Sequence, residues 1–272
     1  MRKLLVACLI TLAFVGRVIA DPLKEANVAE GRGDYATAFR LLQPLAKAGN
    51  REAQSRLGAL YATGNGVPRD SVEAIKWFRK AADQGFPDAQ HNLGGMFLKG
   101  DGVPQDYAEA EKWFRKAADQ GFALSQTNLG HLYNNGDGVP HDYAEAEKCF
   151  RKAADQGDVV GQNRLGLLYV NGQGVQQNYA EAEKWFRKAA NQGDADSQYN
   201  LAVLFANGYG VQQDNVEAYK WFSLAAAGFP ASKAERRGAA ITNRQLAEIV
   251  MTPAQIAEAQ KAVREWKPKR RF

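Results

Sequence analysis

The chain has 272 residues, of which 45% are hydrophobic and 24% charged, and a formal net charge of +5. Those fractions are globular and exclude a disordered or fibrous class. The positive charge belongs to the ends: Arg2, Lys3 and Arg17 near the start, Lys267, Lys269, Arg270 and Arg271 at the finish, with 28 basic against 30 acidic residues between them. A nucleic-acid partner needs basic residues concentrated on the body, so none is expected.

The first segment reads as a leader. Arg2 and Lys3 precede an apolar run from Leu4 to Val15, and Val18-Ile19-Ala20 precedes Asp21. That is the plan of a secretory signal peptide over residues 1–20, cleaved after Ala20. The run is shorter than the roughly 20 apolar residues that span a bilayer, and no later stretch approaches that length. The mature chain is therefore expected to carry no integral membrane segment and to be periplasmic or secreted. Leu5-Val6-Ala7-Cys8 resembles a lipidation box, but the apolar run continues past Cys8, which favours ordinary cleavage. Cleavage leaves Cys149 as the one cysteine and excludes an internal disulfide.

Residues 21–49 read as a capping hairpin, with Leu41 and Gly49 in the places that Trp and Gly occupy later. From 50 to 228 the chain repeats every 36 residues. Trp77, Trp113, Cys149, Trp185 and Trp221 keep that step, as do Leu57 to Leu201, Gln54 to Gln198 and Gly64 to Gly208. Five units follow, each a pair of helices. The first helix of the second unit runs from Pro87 to about Lys99, with Leu93, Met96 and Phe97 turned inward and Gly94 allowing close approach. The second helices start at Asp70, Asp106, Asp142, Asn178 and Asp214. A Glu follows three residues later, the pattern of a reciprocal capping box. They carry an Ala-Trp-Phe-Ala-Ala stripe at helical spacing and stop at glycines such as Gly121. Gly100-x-Gly-Val103 and its equivalents read as turns; they follow helices and lack the strand that a phosphate cradle requires.

After the array, residues 229–266 read as capping helices. One spans about Ala231 to Val250. A second opens at Thr252-Pro253-Ala254-Gln255 and turns Ile256, Ala259, Val263 and Trp266 inward. Residues 267–272 are a basic tail, read as a solvated end, with an anionic envelope surface as the alternative contact.

The units resemble Sel1-like repeats, relatives of tetratricopeptide repeats. The resemblance rests on Ala89-Gln90, Leu93-Gly94, Gly100-x-Gly-Val103, Ala108-x-Ala110, Trp113-Phe114 and Ala117-Ala118 to Gly121, repeated over roughly Asn50 to Gly228. It implies an all-α fold, a right-handed α/α superhelical solenoid of helix-turn-helix repeats with helical end caps, used for protein–protein contacts. The subgroup with paired cysteines is a poor match.

Chemistry is sparse. His91, His131 and His141 occupy different registers and share no metal-ligand spacing with one another or with Cys149. No nucleophile–base or P-loop motif occurs, so neither a cofactor nor an enzymatic activity is expected. Cys149 reads as a core thiol, the sharper alternative being an intermolecular disulfide. The informative positions are those that change while their surroundings repeat. On the first helices these are Glu52/Asp88/Leu124/Val160/Asp196, Ser55/His91/Thr127/Asn163/Tyr199, Ala59/Gly95/His131/Leu167/Val203 and Ala62/Leu98/Asn134/Val170/Ala206. Steps of three, four and three residues put them on one face. The face becomes more apolar in the later units, so Leu124, His131, Leu167, Val170, Tyr199 and Val203 are the expected partner-binding residues, with Tyr199 the main anchor through its ring and hydroxyl.

The expected function is an envelope adaptor that binds a protein or an extended segment. The alternatives are a binder of cell-wall glycan or peptide with weak hydrolytic activity, and a secreted effector acting on a host. N-terminal sequencing of the native protein checks the leader. The expected first residue is Asp21; a mature chain that retains Met1 or begins at Cys8 excludes this reading.

Overall fold

The computed structural model describes residues 21–269; the leader and Arg270 to Phe272 lie outside the described residues. Fourteen α-helices follow one another: α1 (Pro22–Gly31), α2 (Tyr35–Lys47), α3 (Arg51–Thr63), α4 (Ser71–Asp83), α5 (Pro87–Lys99), α6 (Tyr107–Asp119), α7 (Ala123–Asn135), α8 (Tyr143–Asp155), α9 (Val159–Asn171), α10 (Tyr179–Asn191), α11 (Ala195–Asn207), α12 (Asn215–Gly228), α13 (Ala234–Ile249) and α14 (Pro253–Glu265). A short 3-10 turn, Ala231–Lys233, leads into α13. Each α-helix from α1 to α12 packs on the next in sequence, and α14 returns to α12. This is the expected all-helical solenoid: contacts between neighbours only, repeated along one direction.

Within a unit the two helices meet at a glycine. A Cβ built on Gly94 falls 2.8 Å from Cδ1 of Phe114, and one on Gly58, Gly130 or Gly166 meets Phe78, Phe150 or Phe186 in the same way. Those Phe rings are among the most deeply buried side chains. The missing side chain on the first helix is thus the seat for the ring of the second. The repeated Trp is the outer neighbour of this seat. Trp77, Trp113 and Trp185 are buried, and Lys80, Lys116 and Lys188 lie over their rings at 4.3, 4.0 and 3.8 Å from the centroids. The ammonium nitrogen itself sits over the indole face, a cation–π contact at the outer edge of the core. Cys149 is buried in the same register, and burial pushes its thiol up to about 11. Its thiol is therefore protonated and poorly placed for exchange chemistry at neutral pH.

The caps differ from the expected box. Asp70, Asp106 and their equivalents accept from the amide three residues on, as with Asp70 Oδ1 and Glu73 N at 2.9 Å. The Glu does not reach back. The cap amide already donates to the preceding helix, Asp70 N to Tyr61 O at 2.9 Å and Asp106 N to Phe97 O at 3.0 Å. Freed from that role, Glu73 and Glu109 pair with Lys76 and Lys112 at 2.9 and 2.6 Å. Among the described residues the reciprocal box forms only at Thr252 and Gln255, which open α14 as expected. The basic tail also departs from a wholly solvated end. Trp266 packs edge-on to Trp221, 6.4 Å between centroids, and the amide of Lys269 donates to Asn191 O at 2.7 Å.

Units are joined by a buried glutamine in each first helix. Gln90 Nε2 donates to Ala82 O at the end of the previous unit, 3.1 Å away, and Gln90 Oε1 accepts from Gln120 Nε2 at 2.7 Å. Gln54, Gln126 and Gln162 make the same pair of bonds. Thermal melts followed by circular dichroism test these contacts. Trp113→Ala is expected to destabilise by about 3–5 kcal/mol and Gln90→Ala by about 0.5–1.5 kcal/mol, because a hydrogen bond to each neighbouring helix is lost while Ala82 O keeps Gly85 N and Gln120 Nε2 keeps Lys116 O. Lys112→Ala, whose ion pair is exposed, is expected to change little.

Candidate partner-binding face

The first helices α3, α5, α7, α9 and α11 lie side by side and share a face on which clefts open. Near the start, a cleft of about 490 Å³ between α3, α5 and α7 has a mixed lining, with His91, Asn92, Lys99, Asp101 and Asn128 beside Phe78, Met96 and Leu98. Towards the end, a cleft of about 360 Å³ is lined by Leu167, Val170, Tyr179, Phe186, Tyr199, Asn200, Val203, Leu204 and Tyr209. It shares Tyr199 and Val203 with a third cleft of about 410 Å³ that continues to Phe222, Asn243 and Leu246. Of the three, the cleft at Leu167 and Val170 is the predominantly apolar one, and those before and after it have mixed linings.

Of the six expected residues, four come together: Leu167, Val170, Tyr199 and Val203 line one cleft. Leu124 is apart from it, 52% exposed near the start of α7. His131 is half-buried against the ring of Phe150, 5.2 Å between centroids. The hydroxyl of Tyr199 is already engaged by Asn243 Nδ2 at 2.9 Å, and Arg236 lies over its ring. Tyr199 therefore offers ring surface rather than a free hydroxyl.

One variable row is not a free surface. Ser55, Thr127 and Asn163 are buried, and the row makes a polar seam between units. His91 Nδ1 is 2.9 Å from Ser125 Oγ, and Asn163 Nδ2 donates to Ser197 Oγ at 2.7 Å. Thr127 faces Gly161 instead of a serine and donates to Asp158 Oδ1 at 2.8 Å. Variation here follows the partner across the seam, which a one-row reading does not reveal. The sequence reading also missed Tyr179, Asn200, Tyr209 and Leu246. A signal existed for Tyr209: it stands between two turn glycines where the other units have Asn65, Asp101, Asp137 and Gln173. It stacks on Tyr179 with centroids 5.1 Å apart and is 46% exposed, so it forms the rim of the apolar cleft.

Among the described residues, no group of three or more His, Cys, Asp or Glu side chains is placed to hold a metal ion, and no helix is long and apolar enough to cross a membrane. What the face offers is clefts and side-chain surface for a ligand that lies across several helices, the arrangement of a repeat solenoid that recognises other proteins. The Sel1 repeat family model matches residues 30–50, 51–86, 87–122, 123–158, 159–194 and 195–228, and the chain belongs to the Sel1 repeat family. The first match is short and lies mostly within the N-terminal hairpin. Repeats of this family generally mediate contacts between proteins and are generally non-enzymatic. Among solved structures the chain is similar to c5321, a protective antigen present in uropathogenic Escherichia coli strains, with 37% identity and a TM-score of 0.75 over 90% of this chain and 53% of that one. This chain thus spans about half the length of c5321. It is also similar to a Sel1 repeat protein from Oxalobacter formigenes, with 32% identity and a TM-score of 0.72 over 78% of this chain and 87% of that one. Among curated proteins, none matches this chain.

His131 gives the face a pH dependence. Burial, helped by the nearby Arg164, lowers its pKa from 6.5 to about 4. The unfolded chain then binds a proton that the folded chain refuses, so stability is full above about 6.5 and falls as pH drops towards 4. Urea midpoints measured at pH 7.5 and 4.5 should separate in the native chain. In His131→Gln the separation should shrink; an unchanged gap excludes His131 as the source.

Proposed function

We propose that this chain is an exported, non-enzymatic adaptor of the bacterial cell envelope, periplasmic or secreted, that binds a partner protein or extended peptide along its first-helix face. The observation that carries the reading is the pair of adjoining clefts that share Tyr199 and Val203. A monomeric scaffold gains nothing from leaving Leu167, Val170 and Val203 at an open, largely apolar cleft, whereas a partner that fills it recovers their burial. The clefts run on from one unit to the next, which suits a ligand with several anchors better than a compact small molecule. Similarity to c5321, described as a protective antigen, supports a location outside the cytoplasm, as does the leader-like start.

The test is site-specific photocrosslinking in the native host. A photoreactive residue at position 167 is expected to trap one discrete protein from the envelope fraction, and the same residue at exposed position 112 is not. Leu167→Gln with Val203→Gln should abolish recovery of that protein while the helical signal is kept. A folded double variant that recovers it at the native yield excludes this surface.

A further inference from the structure

The partner's chemistry can be narrowed from an unpaired cation one helical turn from the apolar cleft, on the basis of the first-helix reading above. Arg164 is exposed on α9, one turn before Leu167, and so lies on the same side of the helix. Arg115, Arg151 and Arg187 all pair with a glutamate four residues earlier. Arg164 has no carboxylate or hydrogen-bond partner among the described residues. Its repeat equivalents are Arg56, Asn92, Asn128 and Asn200. Arg56 is held by Glu30 and Glu52, so Arg164 is the free positive charge of this row. The row faces the clefts: Asn92 and Asn128 line the first one and Asn200 the apolar one. The charge of Arg164 is also felt by His131 on the neighbouring α7.

The exposed apolar surface continues past the clefts: the third cleft reaches Leu246, 58% exposed, and Ile249 and Val250 follow at 77% and 66%.

We propose that the occupant is an acidic, apolar peptide segment. Its apolar side chains seat in the two clefts that share Tyr199 and Val203, and one of its carboxylates pairs with Arg164. A basic segment places like charge against Arg164, and a neutral one leaves the guanidinium unpaired. Charge complementarity of this kind selects partners and speeds encounter more than it adds affinity.

Fluorescence anisotropy on the purified chain tests the assignment. The probe is a labelled peptide of about 10 residues, long enough at about 3.3 Å per residue to cross both clefts, with Leu and Phe alternating with Asp and Glu. A second peptide carries Lys in place of every acid, and a third Ser in place of every apolar residue. The first should bind, and at low salt the second and third should bind at least about tenfold more weakly. Arg164→Glu should weaken the first about tenfold, and Arg164→Lys should keep most of the binding. Leu167→Gln with Val203→Gln should remove it. Equal binding of the Lys peptide, indifference to Arg164→Glu, or no binding of the first peptide overturns the proposal. So does binding to anionic phosphatidylserine vesicles, lost in Arg164→Glu, in place of peptide binding. If the cleft variant loses the crosslinked partner while Arg164→Glu keeps it, the first-helix reading stands and the acidic assignment alone falls.

Discussion

The buried glutamine at the start of each first helix sets how one unit stacks on the next. Its amide has a donor and an acceptor to satisfy in a place that water does not reach: Gln90 is 4% exposed and Gln126 is 4% exposed. The donor goes to a carbonyl in the last turn of the previous second helix and the acceptor takes the glutamine that closes its own unit's second helix. Three helix segments are thereby tied through one side chain. A slip of either neighbour by one residue orphans both ends of the amide, at about 1–3 kcal/mol for each buried group. Hydrophobic contact alone gives affinity between units; the glutamine gives register, and register is what lines up the variable positions of successive first helices into one face.

The device also shows where the array stops. The residue that should close the ladder in the last unit is Gly228, and Gln198 Oε1 is left buried without a partner. The last unit compensates elsewhere. Trp221 Nε1 donates to Glu217 Oε2 at 2.7 Å, whereas Nε1 of Trp77, Trp113 and Trp185 has no such partner. Trp266 then covers Trp221, and α13 closes over Tyr199 and Phe222 through Asn243 and Ala247. The cap is also part of the candidate site, because α13 supplies Leu246 to the third cleft.

Periodicity made most of the fold legible. A 36-residue step fixes which positions are buried, since every unit meets the same neighbours, and the first and second helices fall where Pro87, Asp106 and Gly121 place them. What periodicity hides is contact between different registers. The Glu of the second-helix cap looks reciprocal in isolation; only the carbonyl of Tyr61 or Phe97, brought in by the turn, explains why it is not. The row of Ser55, His91, Thr127, Asn163 and Tyr199 looks like free variation for the same reason. Its partners are Ser125, Asp158, Ser197 and Asn243, which lie 31 to 44 residues away and belong to other rows. The apolar cleft was half legible: its walls from α9 and α11 follow from helical spacing, but its rim from Tyr179 and Tyr209 depends on how the turn folds back.

An array held together by neighbour contacts has a stability that varies along its length. The middle is its weaker part. Cys149 stands where the other units have Trp, so α8 buries less apolar surface against its neighbours than α6 or α10. The two clefts that share Tyr199 are built chiefly from α9, α11 and α13, which lie beyond that point; α12 packs on α11 and α13. Binding a segment across α9 to α13 ties the last unit to the cap, and it adds contacts on the side of the array that already has the firmest closure. A surface placed there is pre-organised, and less of the binding free energy is lost to ordering it. The same apolar clefts placed across α7 and α8 would have to be ordered at the point where the core is thinnest.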